Sequence, residues 1–410
     1  MIDSELGRVA KILASYGKIF HSKTYFRDLI LIFDRRILAH FDFLIPLLIT
    51  PIILLSLFLI YELGSALIYK QLIYIGASFG VAYVVFFIPF RKLSKGIYLF
   101  YWLCIVLLVL VEFLGTKKLG AQRWIEIPFT PFSIQPSEIL KIALMLMLAL
   151  VIRQNPPPRD GYDWQEFGRI SLLILLPFFI ILRQPDLGTA LTVLFMGFGM
   201  LFLIGVNKKI WITLTLVFAI ASPLIYQYGI RDYQKKRIHD FLSEKPSHQV
   251  NQSIIAIGAG GLRGKQKDEA TQSQLKFLPI ATSDFIFAYY MERFGFIGGV
   301  ALIGIYMFLI FHILSYCLLN AKDYFLKVVS SCIAILLFVY MSVNIAMTIG
   351  FAPVVGLPLP LFSYGGTSFM TFILMLAILE NLLAFRFDLK YNTPSRKNGL
   401  LAQLVRALGS

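Results

Sequence analysis

This sequence is poor in charge: 15% of its 410 residues are Asp, Glu, Lys or Arg, against 58% hydrophobic, whereas soluble domains carry about 25% charged residues. That deficit excludes a soluble fold, which could not hide so much apolar surface. Cysteine is scarce as well. Cys104, Cys317 and Cys332 all fall inside apolar runs, which reads as three small core residues and argues against a disulfide or a metal site. Residues 1–15 contain no apolar core of signal-peptide length and no small-residue cleavage site, so the first membrane span is expected to serve as the insertion signal. A phosphate loop is also missing. In Gly258 to Lys265, Ala259 stands where that motif needs glycine and Gln266 where it needs Ser or Thr, and Arg263 breaks the dinucleotide-binding pattern. A flexible turn with cations beside an anionic headgroup and a plain glycine turn both remain open for this stretch.

What the sequence does have is long apolar runs. Ten of them, at about 42–61, 71–90, 96–115, 138–153, 168–183, 186–206, 208–227, 284–318, 327–350 and 364–386, approach the roughly 20 residues that cross a ~30 Å hydrocarbon core. The expected fold is an all-α polytopic membrane protein of about ten transmembrane helices, with a long extracytoplasmic loop, 228–283, before the eighth. The net charge of +15 is a topology signal, not a nucleic-acid footprint. With the N-terminus cytoplasmic, 22 Lys and Arg fall on the inside and 5 on the short outer loops, so both termini are expected in the cytoplasm of a bacterial inner-membrane protein. Residues 1–41 form a basic N-terminal segment, 42–386 the membrane domain and 387–410 a cytoplasmic tail. Val9, Ile12, Leu13, Tyr16, Ile19 and Phe20 recur at helical spacing within 5–27, which suits an amphipathic helix on the membrane surface.

Two proline-rich outer segments, Gly120 to Glu138 and Pro353 to Gly366, are apolar yet unsuited to helix. Non-helical backbone at membrane depth persists only where protein or a water-filled cavity satisfies it, so both are expected to line a cavity. Ionisable residues within spans mark functional sites by default. Glu138 and Lys141, three apart, share a helix face and can neutralise each other. Asp186 sits at a helix start, where a carboxylate meets the positive end of the dipole. Glu292 and Arg293 point in different directions and need separate partners; Glu112 and Glu380 have no assigned role. Asp284 follows Thr282-Ser283 where the long loop enters the bilayer, which makes it acidic, partly desolvated and reachable. On these features a lipid-linked-sugar enzyme, a transporter and a proton-coupled carrier stand equal.

The ordered motifs decide further. Tyr233 to Ile238, Asn251 to Gly258, Thr271-Gln272-Ser273-Gln274-Leu275, Phe277-Leu278-Pro279 and Ser283-Asp284-Phe285-Ile286-Phe287-Ala288, with Gly120 to Trp124, Gln135 to Glu138, Gln184 to Ala190 and Pro353 to Gly366, resemble the SEDS family of peptidoglycan glycosyltransferases, and the Thr-Gln-Ser-Gln-Leu form is closer to the RodA-like branch than to FtsW. The resemblance implies a ten-helix enzyme that polymerises lipid II during elongation, an essential aspartate at Asp284, an assisting divalent cation (Mg²⁺ or Mn²⁺) and a class B penicillin-binding protein as partner. Arg123, Glu138, Lys141, Asp186, Lys236, Arg237, Gln252, Ser253, Gln272 and Ser363 are the candidates for the cavity and the substrate, with Arg263 a further cation for the pyrophosphate. A lipid II flippase or a cell-wall scaffold is the alternative. The family usually has histidine and threonine before the aspartate and two consecutive glutamates after it, whereas this chain has Thr282-Ser283 and Glu292-Arg293. Gly295, Gly298, Gly299 and Gly304 are the expected partner-binding face, because helices in lipid associate through close packing of small residues.

Overall fold

The computed structural model describes residues 35–386 apart from 119–120, 127–132, 185, 230–234, 236, 238, 240, 242–246, 271–281 and 321. The amphipathic segment 5–27, the tail 387–410, Lys236 and Gln272 lie outside the described residues.

Every apolar run forms a helix. These are α1 (Leu44–Leu63), α2 (Ser65–Phe86), α3 (Ser94–Leu114), α4 (Pro136–Gln154), α5 (Trp164–Arg183), α6 (Leu187–Ile204), α7 (Lys208–Leu224), α9 (Ile286–Leu319), α10 (Tyr324–Thr348) and α11 (Thr367–Ala384), while α8 (His248–Gly260) belongs to the long loop. Eight are long and apolar enough to span a bilayer. The other two fall short for local reasons: α4 carries Glu138, Lys141 and Arg153, and α7 has only 17 residues.

The chain divides into two units, Phe43–Leu379 and, separately, Met1–Asp42 with Glu380–Ser410. In the smaller unit a short helix, Arg35–His40, leads to Asp42, whose backbone N–H donates to Glu380 Oε2 at 3.1 Å. In the larger unit α4 packs on α3 and α10, α6 on α5 and α10, and α9 on α10, α1 and α8. Helix α4 is buried on all sides from Leu140 to Leu150, as its apolar sequence around the whole circumference requires. Helix α7 buries only Ile210 and exposes Phe218 and Ile220, which makes it a lipid-facing helix. Close approach relies on glycine: a Cβ at Gly197 of α6 would lie 2.7 Å from Ile174 of α5.

Two features correct the sequence reading. Within 116–134, β1 (Thr116–Lys118), β2 (Ala121–Glu126) and β3 (Ser133–Ile134) form an antiparallel sheet in the order β1-β2-β3, so the fold is helical with one small sheet. The strands pair their own backbone groups beside prolines that forbid helix. Three glycines of α9, Gly295, Gly298 and Gly299, pack against the chain itself, whereas Gly304 is exposed with open space around it. Gly295 breaks the helix with φ 66° and ψ −168°, Gly299 is buried and a Cβ there would overlap Met291 Sδ, and a Cβ at Gly298 would overlap Phe294 Cβ. The face that α9 offers to lipid is formed instead by Phe296, Ile297, Val300, Phe308 and Phe311.

That break explains the glycine-rich stretch. Phe296 N–H donates to Gly261 O at 2.8 Å and Ile297 N–H to Leu262 O at 3.2 Å, while Lys265 N–H donates to Glu292 O at 3.0 Å. The turn after α8 thus supplies acceptors for amides that the interrupted helix leaves without partners. Gly260 and Gly264 are required because a Cβ at either would overlap the carbonyl oxygen of Met291 or Arg293. The turn thus has a backbone docking role, and Arg263 within it is exposed.

Candidate active site

Asp284 lies in a turn two residues before α9, and the segment 353–366 grips that turn. Ser363 Oγ donates to Ser283 O at 2.7 Å and accepts from Leu359 N–H at 2.7 Å, and Tyr364 N–H donates to Thr282 O at 2.8 Å. From the other side Asn344, fully buried in α10, donates through Nδ2 to Asp284 O at 2.9 Å and to Leu357 O at 2.7 Å. Gly356, at φ 74°, comes so near that a Cβ there would sit 3.7 Å from Asp284 Oδ2. The irregular segment is therefore satisfied by protein, as its depth demands.

Desolvation holds the Asp284 carboxyl above the ordinary carboxylate range, partly offset by a hydrogen bond from Ser283 and by the charges of Arg123 and Arg237. Arg123 projects from β2 and pairs with Asp186 at 2.9 Å, and Gln135 Nε2 donates to the other Asp186 oxygen at 3.0 Å. Asp186 also caps α6, accepting from Thr189 N–H at 3.2 Å. Asp186 thus starts a helix, as expected, and also holds Arg123, whose charge acts on Asp284.

The Glu138–Lys141 pair is deeper. Lys141 is fully buried, Nζ lies 2.6 Å from Glu138 Oε1, and it donates to Tyr340 Oη, whose ring it also overlies at 4.8 Å. Glu138 Oε2 is buried without a hydrogen-bond partner among the described residues, and among those residues Glu138 is the one charged side chain lining a 620 Å³ cavity between α2, α3, α4 and α11. Ile73, Ile97, Leu146 and Leu374 represent its apolar wall, which runs from Ser133 and Gly366 to Phe90 and Leu93.

Arg293 does find its own partner. Its guanidinium makes a two-pronged contact with Glu62 of α1, 2.9 Å on each side, and donates to Lys265 O, while Tyr289 Oη donates to Glu62 at 2.8 Å. The arginine in place of a second glutamate thus clamps α1, α9 and the glycine turn together. Glu112 pairs with Arg183 at 2.9 Å. Ser253 donates to Thr348 O at 2.7 Å, which fastens α8 to α10.

The structure thus fastens Ser363 to the Asp284 turn, places Arg123, paired with Asp186, and Arg237 where their charges act on Asp284, sets Glu138 and Lys141 on the cavity wall and leaves Ser253 in packing. Gln252 is half-buried in α8 and has no assigned contact with Asp284. Sequence reasoning missed Asn344, Tyr340 and Glu62. The first two are uncharged, so a search for ionisable residues passes over them, although an amide inside an apolar run is itself a signal. Glu62 falls one residue beyond the first apolar run.

Among the described residues no three His, Cys, Asp or Glu side chains gather as metal ligands, and the described groups that act on the Asp284 carboxyl are a serine and two guanidiniums. This donor set does not fit a protein-held divalent cation. What the arrangement offers is a carboxylate biased toward taking a proton, fixed through its backbone and flanked by two permanent cations.

Residues 34–387 match the FtsW/RodA/SpoVE family model, described as cell cycle protein. The chain is 56% identical over 379 residues to the peptidoglycan glycosyltransferase MrdB of Helicobacter pylori, covering 92% of this chain and 99% of that one. It is 39% identical over 273 residues to the protein of that name from Escherichia coli K12, covering 65% and 72%. Among solved structures, a chain from a study of how a peptidoglycan synthase complex coordinates polymerization and crosslinking superposes with a TM-score of 0.73 at 26% identity, covering 85% of this chain and 98% of that one. The rod shape determining protein RodA of Thermus thermophilus superposes with a TM-score of 0.62 at 26% identity, covering 83% and 96%. This multi-pass membrane chain belongs to the FtsW/RodA/SpoVE family.

Proposed function

We propose that this chain is a peptidoglycan glycosyltransferase that polymerises lipid II into glycan strands at the outer face of the bacterial inner membrane, in the service of elongation and cell shape. The observation that carries the reading is Asp284: a carboxyl with raised proton affinity, on a turn whose backbone is held by Asn344 and Ser363, and under the charges of Arg123 and Arg237. An acceptor sugar hydroxyl attacks the anomeric carbon of the donor, and the bond from that carbon to the diphosphate oxygen breaks. The configuration inverts. Asp284 takes the hydroxyl proton as the new bond forms, and Arg123 and Arg237 oppose the charge that develops on the departing polyprenyl diphosphate. The apolar 620 Å³ cavity suits the polyprenyl chain.

Placing Asp284 on the outer side rests on the excess of Lys and Arg in the loops at the opposite end. A Mg²⁺- or Mn²⁺-type ion remains part of the proposal only as a companion of the substrate diphosphate, and no step above runs through it. Titration of each ion into chelator-treated enzyme tests it. A class B penicillin-binding protein is the proposed partner, tested by copurification. The deciding experiment for the activity is purified protein in detergent with labelled lipid II: glycan polymer is expected, and lipid movement across vesicles without lengthening overturns the proposal in favour of a flippase.

A further inference from the structure

A second pocket, of 240 Å³, lies where α8 begins, against the chain that follows α10. Arg237, Phe241, Ser247, Gln249 and Val354 contribute to its wall. Its chemistry is unlike that of the apolar cavity. A guanidinium, a hydroxyl, an amide and an aromatic ring that is 40% exposed share one small space.

Ser247 is the informative residue. It occupies the N-cap position of α8, where a serine ordinarily accepts a hydrogen bond from one of the first helical amides. Here its side chain makes no capping bond, and its Oγ is buried with no hydrogen-bond partner. Ser247 lines the pocket and leaves the helix without a side-chain cap. Gln249 and Val250, which also line it, are among the first residues of α8, whose amides lack intrahelical acceptors and lie at the positive end of the helix dipole. Donors without acceptors and a cation therefore converge on one space.

The pocket also adjoins the reaction centre. Arg237 both lines it and acts electrostatically on Asp284. Val354 is two residues from Gly356, which flanks the Asp284 carboxylate.

We propose that this pocket is a subsite for an oxyanion-bearing part of the sugar substrate. Arg237 pairs with the anion, Ser247 Oγ and the first amides of α8 donate to it, and Phe241 covers the apolar face of the attached group. The inference rests on the glycosyl-transfer reading above. In a diphosphate-linked disaccharide-pentapeptide two groups have this chemistry, the peptide carboxylates and the diphosphate.

Calorimetric titration of the full-length protein in detergent separates them, with three probes: the soluble disaccharide-pentapeptide without lipid or diphosphate, the same compound with its carboxylates amidated, and inorganic pyrophosphate. One of the two anionic probes should bind the wild type, weaken about tenfold or more in Arg237→Gln and severalfold in Ser247→Ala, and identify the source of the anion. The amidated compound should bind no better to wild type than to Arg237→Gln. Ser247→Ala should keep the wild-type melting temperature, since the hydroxyl caps nothing. The proposal falls if neither anionic probe binds, if both variants bind as the wild type does, or if Ser247→Ala melts lower with binding unchanged. Failure of the wild type to polymerise lipid II would strike the glycosyl-transfer reading alone, because the titration does not depend on turnover.

Discussion

Removing one charge of the Glu138–Lys141 pair should damage this protein more than removing both. Lys141 is fully buried and Glu138 is 4% exposed, so neither ion left alone can be rescued by water. One oxygen of Glu138 already lacks a hydrogen-bond partner. Lys141→Met leaves that carboxylate with only the Tyr340 hydroxyl, 3.5 Å from Oε1, and Glu138→Gln leaves the ammonium with an amide and a phenol. A buried charge stripped of its counterion costs about 3–5 kcal/mol, whereas replacing both partners by groups of similar volume is often close to neutral. The double variant Glu138→Gln/Lys141→Met should therefore be more stable than the sum of the two single losses by about 2 kcal/mol or more. Denaturant-induced unfolding in mixed micelles, with the four proteins side by side, gives the cycle directly. Polymerisation of lipid II should follow the same ranking, because the pair forms part of the cavity wall. Additivity within about 0.5 kcal/mol would refute the reasoning, as would single variants with wild-type stability and activity.

Asp284→Asn should insert and fold yet lose more than about nine-tenths of polymerisation, a barrier change above ~1.4 kcal/mol; a folded variant with greater residual activity would remove Asp284 as the base. The pH profile follows from its raised proton affinity: the ionised form is the active one, so activity should fall as pH drops through a value above the usual ~4 for aspartate. Arg123→Gln should move that acid limb higher still, because it removes a cation that favours ionisation. The same shift means that Asp284 favours the folded state when protonated, a contribution lost as pH rises through its folded-state value. Asn344→Leu deletes both donors that hold the Asp284 turn to the segment 353–366, and should lower kcat far more than it raises KM for lipid II; equal effects on both would show that Asn344 does not position the base. Gly264→Ala forces a Cβ onto the Arg293 carbonyl and should destabilise the protein by several kcal/mol in a micelle unfolding assay, whereas exposed Gly258, with open space around it, should tolerate alanine.

The sequence by itself determined the helices. Spans such as Leu44–Leu63 and Tyr324–Thr348 are specified by continuous apolar composition, because in hydrocarbon each backbone group must be satisfied within its own segment. It also singled out Asp284 as an acid at the junction of loop and helix, and the ordered motifs gave the family. The small sheet at 116–134 was not legible, because strands as short as Ser133–Ile134 carry too little alternation and owe their pairing to register with a neighbour. Gly295, Gly298 and Gly299 of α9 were not separable from Gly304 in the sequence, because small residues look alike whether they meet a second protein, their own helix or a docked turn; only their contacts distinguish these. The partners of Arg293 and Asp284 likewise belong to the tertiary structure alone. Glu62 lies 231 residues before Arg293, and Asn344 lies 60 residues after Asp284. No local rule links residues so far apart. Hydropathy says which segments lie in the membrane, but it is the packing of α1, α9 and α10 that decides which polar groups meet there.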